Sequence, residues 1–343
     1  MEPKEIYTTL LQKINVPDPS SERMHKIIRK LVTPEEGELL LALPAEPTEL
    51  GRKTGMPEET VQRKLREFME KGMVVPTSKG PRLVRDVLQF HDANLSSSVK
   101  WVDTELLDLW KDWYEAEFMP FTEKLGTIPA DPSAPKTVRV VPAWRAIELS
   151  PDLPVAKLPP EENLRDLVKG ADVIAVVPCT CRRNLRRCDA KVELCMLFNR
   201  GAEYAINRGA GRRVSADEAM AVLREGEEAG LVHTWPFGLS SRLNEICNCC
   251  RDCCIIFDPG LKFGTLDRGL SKSHLRAEVH KGVCDGCQDC VETCFFGAIE
   301  MKKDPPGKKL KAVVDPEKCY GCGACVVACS THVHAIRMRL VEP

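Results

Sequence analysis

The 343-residue sequence predicts an α+β protein of several domains, on three observations. Capped, helix-length segments fill the first third, short apolar runs alternate with helical segments in the middle, and one cysteine pattern occurs twice near the end. A chain of this length can bury more than one core. We therefore expect a helical domain over 1–127, a small cysteine-rich α/β domain over 137–275 and a third small domain over 276–343.

Three short helices and a hairpin are predicted between Thr33 and Val75. Thr33 is placed as an N-cap, with Pro34 in the first helical position and Glu36 completing a capping box. The third helix, PEETVQRKLREFMEKG, begins at Pro57, and the segment MVVPTSKGPRLV reads as two short strands around the turn SKG. This order of elements, together with the segments ELGRKTG and QRKLREFMEKG, resembles that of winged-helix domains.

The resemblance implies that the third helix could enter a DNA major groove. Its basic residues are Arg63, Lys64, Arg66 and Lys71, and its acidic residues are Glu58, Glu59, Glu67 and Glu70. The helix is therefore balanced in charge, whereas contact with phosphates favours a basic surface. A structural or docking role for this domain fits the sequence better than DNA binding.

A longer amphipathic helix is expected from Trp101 to Leu125. Its apolar residues Trp101, Leu106, Leu109, Trp110 and Trp113 are spaced to face the interior. The proline-rich segment GTIPADPSAPKT then reads as a linker. We place a domain boundary near Ile128.

The middle domain is expected to be a small α/β unit. An extended segment VRVVPAW precedes a helix, PEENLRDLVKG, and the apolar strand Val173–Val177 leads to Cys179 at its carboxyl end, where sites in such units often lie. A helix is predicted from Lys191 to Asn207, and a second is predicted after Ser215, an N-cap residue. The segments LVHTW and CNCCRDCC follow.

Cysteine use is unusual, because all 17 cysteines lie at or after Cys179. Dense cysteines at fixed short spacings in a reducing compartment indicate metal ligation rather than disulfides. The spacing C-x2-C-x2-C-x3-C occurs twice, as Cys284, Cys287, Cys290, Cys294 and as Cys319, Cys322, Cys325, Cys329. This region closely resembles the bacterial two-cluster ferredoxins. Zinc ribbons, built from pairs of C-x2-C, would not account for the regular fourth cysteines.

The ferredoxin resemblance implies two [4Fe-4S] clusters and an exchange of ligands between the two repeats. Cys284, Cys287 and Cys290 would share one cluster with Cys329, and Cys319, Cys322 and Cys325 would share the other with Cys294. Glycines at 286, 321 and 323 suit loops with unusual backbone angles. The chain departs from the family where proline usually follows the fourth cysteine, since Phe295 and Ser330 stand there.

Nine further cysteines lie upstream: Cys179, Cys181, Cys188, Cys195, Cys247, Cys249, Cys250, Cys253 and Cys254. Burial of cysteine as a small apolar residue does not explain five within eight positions. Neighbouring side chains point in opposite directions in extended backbone, so Cys249 and Cys250 should serve different sites, as should Cys253 and Cys254. One or two further iron-sulfur clusters are the leading interpretation, with structural zinc second and a redox-active dithiol third. The segments PCTCR and ICNCCRDCC resemble a cysteine-rich segment that accompanies ferredoxin modules in proteins of anaerobes.

Basic residues are frequent beside the first of these cysteines. They are Arg182, Arg183, Arg186, Arg187, Lys191, Arg200, Arg208, Arg212 and Arg213. Such groups could raise the potential of an anionic thiolate cluster, or bind a small anion or an acidic redox partner. An ordinary solvated helix face is an equally good interpretation.

The sequence favours an iron-sulfur electron carrier or redox-complex subunit that passes electrons between the two clusters and a metal centre in the middle domain. No Walker loop, dinucleotide-binding glycine motif or nucleophile elbow is present, so the electrons should come from a partner protein. The alternatives are a reductase that acts on a small anionic substrate held by Arg182, Arg183, Arg186 or Arg187, and a redox-sensing DNA-binding regulator. Catalytic residues are not predicted.

Charge and hydropathy restrict these functions only weakly. Lys and Arg number 49 against 50 Asp and Glu, so net charge indicates no class of partner. No apolar stretch approaches the roughly 20 residues of a membrane-spanning helix, and the start MEPKEIYTTL lacks the features of a signal peptide. We expect a cytoplasmic protein.

Overall fold

Helices and strands are mixed along the whole chain in the computed structural model, which describes residues 2–131, 133–236, 244–304 and 309–341. The chain divides into two compact units. The first comprises Met1–Phe121, Val177–Arg186 and Glu203–Arg212, and the second comprises Thr122–Val176, Arg187–Ala202 and Arg213–Pro343. The protein is therefore a mixed α/β, multidomain chain. The three predicted domain ranges stay predictions.

The α-helices are numbered in chain order. They are α1 Pro3–Lys13, α2 Glu22–Leu31, α3 Pro34–Leu41, α4 Pro47–Thr54, α5 Glu58–Glu70, α6 Val87–Leu95, α7 Thr104–Trp113, α8 Met119–Thr127, α9 Trp144–Glu148, α10 Leu164–Lys169, α11 Thr180–Leu185, α12 Arg200–Asn207, α13 Ala216–Glu228, α14 Phe257–Phe263, α15 Leu266–Gly269, α16 Asp289–Thr293 and α17 Ala324–Ser330. A π-helical turn, Tyr114–Phe118, joins α7 to α8, and 3-10 turns cover Val155–Lys157 and Pro160–Glu162.

The β-strands are numbered in the same way. They are β1 Val74–Val75, β2 Arg82–Leu83, β3 Val138–Val141, β4 Ile174–Val177, β5 Cys195–Phe198, β6 Arg212–Val214, β7 Val232–Trp235, β8 Glu245–Cys249, β9 Leu270–Ser271, β10 Leu275–Val279, β11 Ile299–Lys303, β12 Leu310–Val314 and β13 Ile336–Leu340.

The first unit begins with α1 and α2, which were not predicted from the sequence, and continues as predicted with α3, α4 and α5 followed by a hairpin of β1 and β2. The Thr33 hydroxyl accepts a hydrogen bond from the Glu36 backbone N–H, and the Glu36 carboxylate accepts one from the Thr33 N–H, so the capping box is present. Val61, Leu65 and Phe68 form the buried face of α5. The element order is that of the prediction, while membership of the winged-helix family stays a prediction.

The long predicted helix is formed by α7, the π-helical turn and α8. Leu106, Trp110 and Trp113 are buried, and the Trp110 ring packs edge-on against Phe90 at a centroid distance of 5.1 Å. The indole N–H of Trp110 donates to the side-chain oxygen of Asn94 at 2.8 Å. Aromatic burial of this kind stabilises a core strongly, so Leu106, Trp110 and Trp113 belong to the interior of the unit. Trp101 and Leu109 of the predicted stripe are only half-buried, and Trp101 lies before α7.

The second unit is organised around a seven-stranded mixed sheet in the order β6-β4-β5-β8-β7-β3-β9. β8 lies between β5 and β7 and is antiparallel to both. The predicted strand before Cys179 is β4, and LVHTW forms β7. The helix after Ser215 is α13, and the Ser215 hydroxyl accepts the Glu218 N–H as an N-cap.

The predicted helix from Lys191 to Asn207 is wrong in its first half. Residues Cys195–Phe198 form β5, and α12 begins only at Arg200. Met196 pairs with Ile246 of β8, and both Met196 and Phe198 are fully buried. The alternation of buried and half-buried side chains in CMLF has the period of a strand, and pairing with β8 satisfies its backbone.

The carboxy-terminal region repeats one small pattern twice. β10 pairs antiparallel with β13, β11 pairs antiparallel with β12, and the short helices α16 and α17 lie in the second halves of the two cysteine runs. Ile299 begins β11 and Ile336 begins β13, so the repeated dipeptide Ala-Ile marks equivalent turns into a strand. Among the described residues, no helix is both long and apolar enough to cross a membrane.

Candidate metal centres

Two cavities in the carboxy-terminal region are each lined by four cysteines. The first cluster site is lined by Cys284, Cys287, Cys290 and Cys329, in a cavity of about 290 Å³. The second cluster site is lined by Cys294, Cys319, Cys322 and Cys325, in a cavity of about 340 Å³. Each set takes three cysteines from one repeat and one from the other. This is the grouping that the ferredoxin resemblance implies, and four thiols around one cavity suit a [4Fe-4S] cluster.

The fourth cysteine of each run is held by an equivalent backbone hydrogen bond. The Ala298 N–H donates to the Cys294 sulfur at 3.3 Å, and the Ala335 N–H donates to the Cys329 sulfur at 3.2 Å. Such N–H···S bonds stabilise the thiolate form and help to set the potential of a cluster. The repeated alanine is thus the residue whose backbone supports the exchanged cysteine.

The cysteine loops require backbone angles that most residues avoid. Gly286, Gly321 and Gly323 have φ values of +90°, +72° and +81°, as the sequence led us to expect. Gln288, at the position equivalent to Gly323, has φ +79° without the freedom of glycine. A Cβ on Gly321 would lie 2.1 Å from the Leu275 carbonyl oxygen, so this loop needs glycine for space as well as for angle.

Three of the sulfur atoms, those of Cys290, Cys322 and Cys325, lie in surroundings that disfavour charge unless a cation is bound. Burial, together with the neighbouring thiolates, raises the pKa of Cys290 to about 12. Burial likewise raises the pKa of Cys322 to about 12 and that of Cys325 well above its usual range. A bound, positively charged iron core would compensate for this cost, because metal binding favours the thiolate over the thiol.

An apolar core adjoins the second cluster site, and we call it the inner apolar core. Phe257, Val140 and Val232 are buried within it, and Phe296 and Tyr320 pack against it. The Phe296 and Tyr320 rings stack at 4.3 Å between centroids, and Phe295 meets Phe257 edge-on at 5.9 Å. The aromatic pair after Cys294, where related ferredoxins usually have proline, therefore packs the cluster region into the second unit.

Four of the upstream cysteines form a sheet thiol group: Cys195, Cys247, Cys249 and Cys254. Cys195 begins β5, and the pairing of Met196 with Ile246 places it opposite Cys247 of β8. Cys247 and Cys249 are two residues apart on one strand and so share a face. The Cys249 sulfur lies 3.5 Å from the Thr234 hydroxyl of β7. Strand pairing thus brings together cysteines that are distant in sequence.

Hydrogen bonds link the members of the sheet thiol group. Bonds with the Cys247 and Cys254 thiols lower the pKa of Cys249 to about 6. Bonds with Cys195 and Cys249 raise the pKa of Cys247 well above its usual range, with burial adding to the effect. Cys249 therefore favours the thiolate form beside a protonated Cys247, and a thiolate is a suitable starting point for binding a soft metal.

Three other cysteines form a turn thiol group: Cys188, Cys250 and Cys253. Their sulfur atoms all lie within 4.8 Å of one another, and those of Cys188 and Cys253 are 3.8 Å apart. Cys250 follows β8, and Cys253 lies in the turn after it. The adjacent cysteines 249 and 250 thus belong to different groups, as do 253 and 254, in agreement with the alternation that the sequence suggests.

Cys179 and Cys181 lie at the start of α11, in the first unit. Cys179 is buried, and its carbonyl oxygen accepts the Arg183 N–H at 2.9 Å. The Thr180 hydroxyl between them donates to Asp92 at 2.8 Å. A metal-binding role for these two cysteines stays a prediction.

A buried polar network surrounds the strands of the sheet thiol group, and no pattern in the sequence indicated it. The Glu227 carboxylate accepts the backbone N–H groups of Trp144 and Arg145 at 2.6 and 3.1 Å. It also lies 3.1 Å from Nε2 of His233, whose Nδ1 is 2.5 Å from the Asn248 side chain. Asn248 stands between Cys247 and Cys249, so the network fixes the strand that carries them.

The basic residues around the upstream cysteines are mostly engaged by the protein. Arg183 donates to the carbonyl oxygens of Leu95 and Ser97, and Arg186 pairs with Asp108. Further bonds of this kind are those of Arg187 with Asp258, Lys191 with Glu225, and Arg208 with Ser96 and Ser97. These contacts favour a structural role for the side chains over an open anion-binding site.

Comparison with known proteins gives a match for the carboxy-terminal region. Residues 283–333 match the 4Fe-4S dicluster domain family. A stretch of 64 residues is 38 % identical to one of the subunits of the ion-translocating oxidoreductase complex of Methanosarcina acetivorans, and it covers 18 % of this chain and 22 % of that protein. The chain thus spans about a fifth of the length of this relative. No solved structure matches the chain significantly.

The family match covers both cysteine runs, whose thiols line the two cavities. The donor set, eight thiols in two groups of four, is the one that two [4Fe-4S] clusters use. The carboxy-terminal region of this chain is therefore a ferredoxin-type 4Fe-4S dicluster domain, and its function is iron-sulfur electron transfer.

Proposed function

We propose that this chain is an electron-transfer subunit of a redox complex, in which the dicluster domain exchanges electrons with a third centre held by the sheet thiol group. One observation carries the proposal. Cys322 of the second cluster site and Cys247, Cys249 and Cys254 of the sheet thiol group all belong to the inner apolar core or pack against it. Bound iron-sulfur clusters supply one-electron oxidation and reduction.

The residues of the inner apolar core would keep the region between the two sites dry and rigid. Phe257 is fully buried, and Phe295 and Phe296 both pack edge-on against it. Close-packed aromatic rings leave no room for water and hold their neighbours at fixed distances. Fixed distances and exclusion of solvent are what an electron path between two buried centres needs.

The first cluster site is suited to electron exchange with a partner. Cys287 is exposed, whereas Cys284, Cys290 and Cys329 are buried. Val283, next to this site in sequence, is 51 % exposed. An exposed apolar side chain beside a partly open site suits docking of a redox partner protein, because interface centres are apolar.

The similarity to part of an ion-translocating oxidoreductase complex supports the idea of a complex. That relative is described as a subunit, and the similarity covers a length close to that of the dicluster domain. We propose a redox partner protein for this chain on the same basis, as electron donor or acceptor. The rest of the chain, including the helical first unit, would serve to dock within such a complex.

The proposal is tested by counting iron and sulfide in protein purified without oxygen. The dicluster domain alone requires about eight irons per chain, so a count well above eight is expected. Replacing Cys249 with serine should reduce the count to about eight and remove any magnetic coupling between the third centre and the second cluster site. Electron paramagnetic resonance of the partly and fully reduced protein measures that coupling.

A matched control is Thr234→Val, which removes the hydroxyl beside Cys249 but leaves all four thiols in place. It should keep the full iron count. A wild-type count that stays at about eight irons after reconstitution with iron and sulfide would refute the third centre, while leaving the assignment of the dicluster domain intact.

A further inference from the structure

The turn thiol group differs in geometry from every other set of cysteines in the chain. Its three sulfur atoms lie within 4.8 Å of one another. Within the described ranges, no three thiols of either cluster site or of the sheet thiol group come that close together. The difference indicates a different kind of metal centre, because ligand spacing reflects what the ligands surround.

The spacing can be compared with that around a single ion. Thiolates bound to one tetrahedral zinc ion at about 2.3 Å stand roughly 3.8 Å apart. The Cys188 and Cys253 sulfurs are 3.8 Å apart. The thiolates of a [4Fe-4S] cluster bind different irons at separate corners, so their sulfurs must stand farther apart. The sheet thiols also hydrogen-bond in pairs, but no three of them are mutually close, whereas all three sulfurs of the turn thiol group have the right spacing for one ion.

We propose that Cys188, Cys250 and Cys253 hold a single zinc ion in tetrahedral coordination, separate from the iron-sulfur centres. A compact set of thiolates selects zinc among the abundant divalent metals, since zinc accepts tetrahedral sulfur coordination without redox chemistry. Three thiolates leave one position for a fourth ligand. The inference is independent of the third iron-sulfur centre proposed above.

Groups around the trio compensate for its negative charge. Three thiolates and one Zn²⁺ carry a net charge of −1. The Arg187 backbone N–H donates to the Cys253 sulfur at 3.4 Å, and the Arg187 guanidinium is held beside this turn by Asp258 at 2.6 Å. N–H···S bonds and a nearby cation are typical support for thiolate ligands. Asp258 also belongs to α14, so the arginine ties the metal turn to a helix.

Such an ion would anchor the turn that separates the two groups of thiols. Cys250 and Cys253 flank the turn, while Cys249 and Cys254, just outside them, belong to the sheet thiol group. Tying the turn to Cys188 would fix the positions of both outer cysteines. The zinc ion would therefore have a structural role, with the iron-sulfur centre depending on it for the placement of two ligands.

The test uses the full chain, purified without oxygen and analysed for zinc, iron and sulfide. About one zinc per chain is expected. Cys250→Ser should lower the zinc content at least tenfold, with the iron of the dicluster domain unchanged. The matched control is Cys249→Ser, the neighbouring thiol on the other group, which should leave zinc in place. X-ray absorption at the zinc edge of the wild-type protein should show three or four sulfur ligands at about 2.3 Å.

Zinc-free wild-type protein would overturn the proposal, as would full retention of zinc in Cys250→Ser. Zinc bound mainly by nitrogen and oxygen would overturn it as well, and this measurement does not depend on whether a variant folds. A wild-type protein with one zinc and only about eight irons would support the zinc site and refute the third iron-sulfur centre, so the two proposals fail separately.

Discussion

The two cysteine-rich regions of this chain build their sites in opposite ways. In the dicluster domain, one loop supplies three neighbouring thiols, and only the fourth comes from the other repeat. In the middle region, thiols near residue 190 meet thiols near residue 250 because β5 pairs with β8. A loop site can be recognised from spacing alone, whereas a site between strands depends on tertiary structure and cannot be recognised in that way.

The largest expected effect is the loss of iron when the exchanged fourth cysteines are replaced. It tests how the dicluster domain builds its two sites. Cys329→Ser and Cys294→Ser should each lose one cluster, about four irons. Adding Cys287→Ser to Cys329→Ser should cost no further iron, because both residues line the first cluster site. Adding it to Cys294→Ser should remove the remaining cluster. Iron and sulfide analysis measures all four variants, and the reverse pattern would mean that ligands are not exchanged.

The tight packing of the cysteine loops predicts the next largest effect. Gly321→Ala would place a Cβ 2.1 Å from the Leu275 carbonyl oxygen at a φ of +72°. Strain and overlap together should cost about 4 kcal/mol, and thermal release of iron should occur at a clearly lower temperature.

The control for this variant is Gly297→Ala, where φ is +60° and nothing lies within 4 Å of the added atom. Its cost should be about 1 kcal/mol, because only the backbone strain remains. Equal losses of stability in the two variants would contradict a role for close packing at Gly321.

The stability of the middle region should instead depend on the hydrogen bonds of its buried polar network. Glu227→Gln replaces a carboxylate that accepts two backbone N–H groups and lies beside His233, so an amide N–H₂ would face a donor. We expect a loss of about 2 kcal/mol in unfolding by denaturant. The control is Glu228→Gln at the exposed neighbouring residue, which should change the free energy of unfolding by no more than about 0.5 kcal/mol. A neutral result for Glu227→Gln would show that the network does not stabilise the strand of Cys247 and Cys249.

The last effect expected concerns conditions rather than a substitution, and it is a dependence of cluster assembly on pH. Cys290 and Cys322 have pKa values of about 12 in the metal-free fold, so both thiols carry protons at neutral pH. Binding of iron needs thiolates and therefore releases protons. Apparent affinity should rise with pH between about 6 and 8, about tenfold per pH unit for each proton released. Reconstitution of apoprotein at several pH values measures this, and affinity independent of pH would contradict it.

Much of the dicluster domain could be predicted from sequence, because the residues that identify it lie close together in the chain. Cysteine spacing, the glycines at 286 and 321 and the repeated Ala-Ile dipeptide can each be recognised within a short segment of sequence. The capping box at Thr33 was predictable for the same reason. The left-handed backbone of Gln288 was not, because a glutamine side chain carries no preference for that conformation.

The middle region was harder to predict because its site depends on strand pairing. The segment before Arg200 was interpreted as helix, and its place as β5 became clear only from its pairing with β8. Alternation, a property of any extended chain, predicts different sites for Cys249 and Cys250, and the structure places their thiols in different groups. The partner of each, and the network around Glu227, involve residues far apart in sequence. The aromatic pair Phe295 and Phe296, present where proline is usual, was the one local signal of this packing.

The side-chain contacts in the structure give less support to two other functions that the sequence suggests, DNA binding by α5 and reduction of a small anionic substrate. On α5, Arg63 pairs with Glu67 and Lys64 with Glu36, while Lys71 is buried and donates to the Leu31 carbonyl oxygen. Three of the four basic residues named from the sequence are engaged in this way, so little charge is left for phosphate contacts. Of the arginines expected to hold an anionic substrate, Arg183, Arg186 and Arg187 are similarly engaged. Both interpretations are weaker than electron transfer.

The short distance between the sulfur atoms of Cys188 and Cys253 affects how the protein responds to oxygen. Two thiols whose sulfurs stand 3.8 Å apart need only a small movement to reach the length of a covalent sulfur bond. A bound ion occupies both sulfurs and so protects them from oxidation. Once the ion is lost, the same proximity favours closure of a disulfide, which would bar the ion from returning until a reductant opened the bond.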